Sequence, residues 1–337
     1  MIGKTNSDIR KTESASGDLL VISSIDRVYH PSDYGYDYFD DVTVAVETND
    51  PCILWCGRQY FDVNAEIFGD ITWIPTYFLY HCAYVRSVDL PPTVEVVGNY
   101  AFSYGGMTTV RVSSTALREL NNNAFAYSSS VTSLYFDAPN VTTLGNSLFA
   151  GMSNLRTANL VSIPRLPYNS LFDCYRLETL EIPVNCVYMD ENSLGCSITF
   201  ADSSAYIHVF FSRQHVHVSD GTVFQQVTQV YNNAFSRRPA YRTFIYSPVA
   251  SICAYRKQFD SISTNRYLLP RIFAYGDYAA GALPSRAVNR CGNTQGTYVL
   301  TWYYDRDFTN PIPNNTVSEA GRYYATYTIE EEIELEE

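Results

Sequence analysis

The chain has 337 residues, of which 46% are hydrophobic and 15% aromatic, so it can bury a sizeable core. Its formal net charge is −12, with 23 Lys and Arg against 35 Asp and Glu. This balance argues against nonspecific nucleic-acid binding, because neutralising phosphates requires clustered basic side chains. The length predicts two or three domains, or one long solenoid that absorbs much of the chain.

The N-terminal segment 1–18 is polar, and the apolar run that follows at 19–22 is shorter than a signal-peptide core or a membrane span. We therefore expect no export signal and no membrane insertion. We interpret residues 1–18 as an anchoring arm that becomes ordered when it docks to other proteins. Residues 19–50 are then predicted to form a small β module.

Within that module, residues 28–46 read VYHPSDYGYDYFDDVTVAV, which is typical of a strand, a turn and a second strand. The segment resembles a short β module that recurs in structural proteins of tailed bacteriophages. An extra Tyr precedes Gly35, and Tyr38 replaces the second glycine of the module, so the turn departs from the pattern. The resemblance implies a virion protein. The matching residues are Pro31, Gly35, Tyr36, Phe39, Val42 and Val44.

Phenylalanines then recur at positions 78, 102, 125, 149 and 172, in steps of 24, 23, 24 and 23 residues. Each is followed by a strand with an L-x-x-L-x-L pattern, from Val85-Val88-Leu90 to Leu177-Leu180-Ile182. A fixed period of roughly 20–29 residues with this pattern predicts a leucine-rich-repeat solenoid. Stacked units bury the apolar face that a single unit cannot bury alone, which explains the recurrence.

The repeat phrase resembles the BspA-like leucine-rich repeats of bacterial surface, protist and phage proteins, over residues 73–200 and 228–247. Residues 244–275 resemble the closing cap of that family, in which a strand ending in Tyr-x-Pro precedes a short helix, here with Tyr255-Arg256-Lys257. The predicted fold is mainly β, with the solenoid spanning residues 51–275. Residues 201–227 interrupt the repeat, and their alternation predicts an inserted β-hairpin.

The last segment, residues 276–337, resembles the final strands of bacterial immunoglobulin-like domains. Alternation in Tyr298-Leu300-Trp302 and Tyr323-Ala325-Tyr327 predicts a half-buried antiparallel sheet with Trp302 inside. Its length, about 60 residues, is short for a full sandwich of roughly 100 residues. We therefore predict a reduced β domain that ends in a solvated acidic segment.

The strands of the solenoid offer a candidate binding surface. Side chains alternate along a strand, so the residues between the apolar positions point to solvent. They form a mixed column beside a column of small hydroxyls. The surface could bind a sugar or a protein, or it could be an ordinary solvated face of β-favouring residues. The mixed column is Asp89, Arg111, Tyr135, Asn159 and Glu181, and the hydroxyl column is Ser87, Thr109, Ser133, Thr157 and Thr179.

Other candidate sites are weaker. His215 and His217 share one face of a predicted strand, and three such pairs around a trimer axis could bind a metal; otherwise they are an exposed or interface pair. Cys52 and Cys56 form a CxxxC without the second pair of a zinc site. Since the sequence lacks a nucleophile elbow, a phosphate-binding glycine loop and an HExxH motif, we expect no enzyme activity and no cofactor.

Two functions are compatible with these modules. The first is a bacteriophage virion protein, such as a head fibre, a capsid decoration or a tail-associated protein, made in the host cytoplasm. It would attach to other virion proteins through the arm and module, form a homotrimer, and present the repeats to a host-surface protein or glycan. The alternative is a BspA-like cell-surface adhesin of a bacterium or protist. A carbohydrate-active enzyme would require a catalytic domain, which the sequence does not offer.

Overall fold

The protein is mainly β in a computed structural model. The structure describes residues 9–14, 17–22, 28–29, 43–46, 54–55, 60–65, 72–74, 76–83, 85–197, 206–214, 216–217, 223–238, 242–262 and 271–335. The chain divides into two compact units. The first comprises residues 1–178, 189–205 and 233–237, and the second comprises residues 179–188, 206–232 and 238–337.

The described strands have at most 6 residues before residue 243 and reach 14 residues after it, and a helix, α1, follows the strand at 243–248. In chain order the elements are β1 (Ile9–Ser14), β2 (Gly17–Ile22), β3 (Val28–Tyr29), β4 (Thr43–Val46), β5 (Leu54–Trp55), β6 (Phe61–Val63), β7 (Trp73–Ile74), β8 (Val85–Asp89), β9 (Val96–Val97), β10 (Thr109–Ser113), β11 (Glu119–Leu120), β12 (Ser133–Asp137), β13 (Thr143–Leu144), β14 (Thr157–Leu160), β15 (Arg165–Leu166), β16 (Thr179–Ile182), β17 (Tyr188–Met189), β18 (Ile207–Phe211), β19 (Val216–His217), β20 (Val223–Gln225), β21 (Gln229–Val230), β22 (Thr243–Pro248), α1 (Ile252–Ile262), β23 (Arg271–Tyr278), β24 (Gly281–Ala282), β25 (Arg286–Cys291), β26 (Thr294–Tyr303), β27 (Thr316–Val317) and β28 (Gly321–Glu334).

The first unit begins with an antiparallel sheet in the order β1-β2-β5-β4-β3. Strand β1, which lies within the predicted anchoring arm of residues 1–18, pairs with β2 over its whole length. The apolar run at 19–22 provides a strand for β1 to pair with. The β3 and β4 pairing agrees with the predicted strand–turn–strand of residues 28–46, whose turn lies outside the described residues.

The repeats of the first unit form a parallel sheet in the order β6-β8-β10-β12-β14. A second parallel sheet has the order β7-β9-β11-β13. The apolar positions of the main sheet, such as Val110 and Val112 in β10, are buried, and the intervening Thr109 and Arg111 are exposed. The predicted leucine-rich-repeat solenoid is therefore confirmed.

Each repeat turns through a residue with positive φ, a conformation that Asn adopts more readily than Tyr. The residue two positions later fills the core, and there Phe102, Phe125 and Phe149 stack with ring centroids 5.1 and 6.0 Å apart. Each buried ring stabilises the solenoid by about 1.5–3 kcal/mol. The turn residues are Tyr77, Tyr100, Asn123, Ser147 and Asn169.

Two members of the predicted phenylalanine series do not occupy this core position. Leu79 and Leu171 fill it instead, as their backbone hydrogen bonds to Ala101 and Ser193 show. Phe78 lies one position earlier and packs edge-on against Phe102, and the half-buried Phe172 lies one position later. Leucine has enough volume for the position, so the equal spacing of the phenylalanines does not mark equivalent sites throughout.

The second unit contains a sheet in the order β16-β18-β22-β23-β28-β26-β25. The first four strands are parallel, whereas β28, β26 and β25 are antiparallel to their neighbours. Trp302 is fully buried, as predicted, and its Nε1 donates to the Pro284 carbonyl at 2.6 Å. The predicted Tyr-x-Pro strand and following helix correspond to β22 and α1.

The predicted insertion at 201–227 is partly wrong. Residues 207–211 form β18, which pairs in parallel with β16 and β22 and so belongs to the repeat sheet. The hairpin is confined to β19 and β20, which pair antiparallel. All five residues of β18 are buried, so this strand does not show the alternation of exposed and buried positions seen in the first unit.

Three further observations concern the described part of the chain. No described helix is long and apolar enough to cross a bilayer. No group of three described His, Cys, Asp or Glu side chains could hold a metal ion. None of the described cysteines forms a disulfide, and Cys82 and Cys174 are buried in the repeats.

Candidate binding surfaces

The predicted columns are aligned in the first unit. Cα pairing places Asp89 beside Arg111, Arg111 beside Tyr135, and Tyr135 beside Asn159. The same pairing aligns the hydroxyl column. We call these residues the open face, because most of their side chains are exposed and the others are partly exposed. The open face consists of Ser87, Asp89, Thr109, Arg111, Ser133, Tyr135, Thr157 and Asn159.

Arg111 lies at the centre of the open face and contacts both neighbours in its column. Its guanidinium lies 4.3 Å from the centroid of the Tyr135 ring, and its Nε lies 3.7 Å from Oδ1 of Asp89. The Arg111 and Asp89 side chains are half exposed, so water screens the pair and its contribution to stability is small. Arg and Tyr in such a setting are the residue types that most often dominate protein interfaces.

One edge of the open face is held by an ion pair. Arg86 donates to both carboxylate oxygens of Asp62, and the Ser87 hydroxyl donates to Asp62 Oδ1 at 2.6 Å. The hydrogen bond from Arg86 is the main reason why the pKa of Asp62 is lowered. The hydroxyl column therefore begins beside a carboxylate that stays charged at neutral pH.

Glu181, the last member of the predicted column, belongs to the second unit and is already engaged there. Its carboxylate accepts hydrogen bonds from Arg322 at 3.2 Å and from the Ser212 hydroxyl at 3.0 Å. Glu181 is therefore not part of the open face. The sequence gives no signal for this contact, because Glu181 and Arg322 are 141 positions apart.

In the sheet of the second unit, the side chains at the corresponding strand positions are buried. His208 and Phe210, aligned with Thr179 and Glu181, are 5% and 3% exposed. Residues 304–310 form the cover loop, whose Phe308 packs against the buried cluster that contains Phe210, Tyr246 and Phe273. The Phe308 and Phe273 rings are tilted relative to each other, with centroids 4.3 Å apart. We call this region the covered face; its residues are His208, Phe210, Phe244, Tyr246 and Phe273.

Hydrogen bonds fix the cover loop in place. The Tyr246 hydroxyl donates to the Arg306 carbonyl at 3.1 Å, and Arg306 Nη1 donates to Thr179 Oγ1 at 2.6 Å. Since the Tyr246 hydroxyl proton is used, the proton in its 2.9 Å bond to His208 must come from His208 Nδ1. Burial lowers the pKa of His208 to about 4, so the imidazole is neutral at physiological pH.

A second aromatic feature lies on the turns of the first unit. Tyr77 stacks on Tyr100 at 5.3 Å, and the rings of His81, Tyr104 and Tyr127 stack in a row at 4.4 and 4.8 Å. All five residues have positive φ, which is unfavourable for aromatic side chains. Stacking between neighbouring repeats offsets part of this cost, so the row has a structural explanation.

The second unit also contains a polar cleft with a volume of ≈ 610 Å³. Arg322 lines the cleft and donates to both Asp277 oxygens, at 2.9 and 3.1 Å, as well as to Glu181. The Arg322 guanidinium also lies 4.9 Å from the Tyr275 ring centroid. The hydrogen bond to Asp277 is the main cause that raises the pKa of Arg322. Arg286 and Tyr278 also line the cleft.

The predicted histidine pair stays a prediction. His215 lies outside the described residues, and for His217 only the backbone of β19 is described. The cleft and the covered face were missed by sequence reasoning, because their residues come from strands far apart in the chain. The only local signal was β18, where apolar and aromatic residues occupy every position except His208.

The sequence-family model of the BspA type leucine-rich repeat region matches this chain in six copies, over residues 72–199 and 119–255. Together these matches span more than half of the chain. They begin in the same repeat as β7 and end within α1. No curated protein sequence matches the chain.

Solved structures with similarity to this one include three bacterial proteins. The pneumococcal vaccine antigen PcpA is 14% identical, with a TM-score of 0.39; the match covers 63% of this chain and 42% of that protein. A leucine-rich repeat protein of Bacteroides ovatus is 11% identical, with a TM-score of 0.28 and coverage of 74% and 73%. A leucine-rich cell surface protein of Faecalibacterium prausnitzii is 12% identical, with a TM-score of 0.25 and coverage of 77% and 99%.

Proposed function

We propose that this chain, which belongs to the BspA-type leucine-rich repeat family, is a non-enzymatic binding protein that works in adhesion at a cell surface. The observation that carries the proposal is the open face of the first unit. Its exposed residues stand in register across four parallel strands and combine an arginine, a tyrosine and a row of hydroxyls. Such a surface suits a protein or a glycoprotein partner.

The cell surface is favoured because surface adhesion is the usual role that the family resemblance implies. The virion location is the second candidate, and it is favoured by the resemblance of residues 28–46 to a module of phage structural proteins. Immunogold electron microscopy of cells and particles from the source culture separates the two. Label on cell envelopes, with particles unlabelled, supports the proposal. Regular label on capsids or tails overturns the cell-surface location.

Adhesion itself is tested with beads that carry the full chain, applied to a mucin-coated surface. We expect wild-type beads to adhere, and beads with the double variant Arg111→Ala, Tyr135→Ala to lose most of their adhesion. Arg165→Ala is the matched control, because Arg165 is exposed in the first unit, pairs with Asp190 and lies in β15, outside the open face. Equal adhesion by wild type and the double variant would exclude the open face as the binding surface.

A further inference from the structure

We propose that the cleft of the second unit is a binding site for a neutral saccharide. The inference rests on the proposed adhesive function and deepens it, because it names a ligand class and a second location. The cleft volume of ≈ 610 Å³ is within the range of small-ligand sites, which is about 300–1,000 Å³. Its walls come from β16, β23, β25 and β28.

The charges in the cleft argue for an uncharged ligand. Arg322 is paired with Asp277 and Glu181, and Arg286 donates to Glu330 at 2.5 Å. An anion would have to displace a carboxylate from one of these guanidinium groups. A cation would have to approach carboxylates that are already neutralised. The balanced pairs therefore weaken the binding of either ion.

The unused hydrogen-bonding capacity argues for hydroxyls. The side chains of Asp277 and Glu181 are 64% and 49% exposed, and a carboxylate has about four acceptor positions. Arg322 and Ser212 occupy only some of them. A saccharide hydroxyl can donate to such a carboxylate and can accept from an arginine in the same contact. Because Arg322 holds both carboxylates in place, the acceptors are preorganised.

The residues that line the cleft also include an aromatic side chain, Tyr278. The half-buried Tyr278 ring lies across Gly276, where an added Cβ would come within 2.4 Å of Tyr278 Cε2. Glycine therefore lets the ring lie against its own strand. Trp302 holds the ring edge-on, with centroids 5.3 Å apart. Carbohydrate rings have apolar C–H faces that pack against such an amphipathic side chain, while their hydroxyls reach the polar groups.

The test is a titration of the full chain with four methyl glycosides (glucose, galactose, mannose and N-acetylglucosamine), followed by saturation-transfer NMR. We expect at least one of them to bind, and Asp277→Ala to weaken its binding by about tenfold or more. Asp277→Asn keeps the size and removes the charge, which guards against misfolding. Asp260→Ala is the control, because Asp260 also pairs with an arginine, Arg256, but lies outside the cleft.

The outcomes separate this inference from the proposed function. Glycoside binding that is lost in both Asp277 variants and kept in Asp260→Ala supports the cleft as the binding site. Absence of binding by all four glycosides, or binding unaffected by Asp277→Ala, overturns it, while the bead assay on the open face still decides the adhesive function. Sialic acid and glucosamine, which are charged, are titrated in the same way, and binding of only these two overturns the neutral class. Arg165→Ala, which lies outside both the cleft and the open face, is expected to leave the glycoside titration unchanged.

Discussion

The outward side of the repeat sheet differs between the two units. In the first unit, Thr109, Arg111 and Ser133 are exposed and hydrophilic. In the second unit, His208 and Phe210 occupy the same side and are buried under the cover loop. Strand alternation decides which side a residue faces, but a later segment decides whether that side meets water. We therefore propose a binding role for the open face and a stabilising role for the covered face.

The largest expected effect is on the covered face. Tyr246 is fully buried, stacks on Phe210 at 4.3 Å and hydrogen-bonds the cover loop. We expect Tyr246→Ala to lower the free energy of unfolding by about 3–5 kcal/mol, as for other buried aromatics. Tyr135→Ala on the open face is the matched control, with an expected loss of about 1 kcal/mol. Urea denaturation of both variants measures the difference, and equal losses would remove the distinction between the faces.

The second expected effect is a pH dependence of the covered face. Burial lowers the pKa of His208 to about 4 from its ordinary 6.5, and the nearby Arg306 adds to the lowering. Between these values the unfolded chain binds a proton that the folded chain does not. Stability is therefore lost as the pH falls from 6.5 to 4, by at most about 3 kcal/mol.

Thermal unfolding of wild type and His208→Gln across pH 4–7 checks this expectation. The variant lacks the titrating group, so its stability should change less over that window, even if it starts lower. The lowered pKa of Asp62 contributes only at more acidic pH, because its carboxylate titrates below its ordinary 3.8. A His208→Gln profile parallel to that of wild type would show that the buried imidazole does not control the pH response.

Much of this fold could be predicted from residues that repeat. The positions of Phe102, Phe125 and Phe149, and the register of the open face, follow from the period and from strand alternation. Two kinds of feature could not be predicted. The first is the exchange of one core residue for another: leucine replaces phenylalanine at Leu79 and Leu171, because both residues fill a similar volume.

The second kind of feature that could not be predicted depends on contacts between segments that lie far apart in the chain. The alternation rule correctly places Glu181 on the outward side, yet Arg322 engages it across the fold. The sequence assigns β18 to an insertion because its segment interrupts the repeat. Both sides of β18 are buried in the structure, and the cover loop, which lies far along the chain, packs against Phe210 on one of them. Local patterns report the period of an element; they do not report what a later segment places against it.

A smaller effect is expected from the residue that shapes the cover loop. The Asp305 carboxylate accepts from the backbone N–H groups of Asp307, Thr309 and Asn310, at 3.0, 3.0 and 2.7 Å. Removing it in Asp305→Ala leaves these donors without their acceptor and should cost about 1–2 kcal/mol. Hydrogen exchange should then speed up at residues 304–310. Asp305→Asn keeps one acceptor oxygen, so its exchange rate should lie between those of wild type and Asp305→Ala. Unchanged exchange in Asp305→Ala would show that Phe308 and the hydrogen bonds of Arg306 hold the loop without Asp305.

The smallest effect on stability is expected at the centre of the open face. Arg111 is half exposed, its ion pair with Asp89 is screened by water, and its contact with Tyr135 is worth about 0.5–1 kcal/mol at an exposed site. Arg111→Ala should therefore lower the free energy of unfolding by no more than about 1 kcal/mol while it reduces bead adhesion. Arg111→Lys should keep the charge but lose the planar stacking on Tyr135, so its adhesion should fall between wild type and Arg111→Ala. A loss of stability above about 2 kcal/mol in Arg111→Ala would mean that the arginine holds the strands together, and the open face would then resemble the covered face in its role.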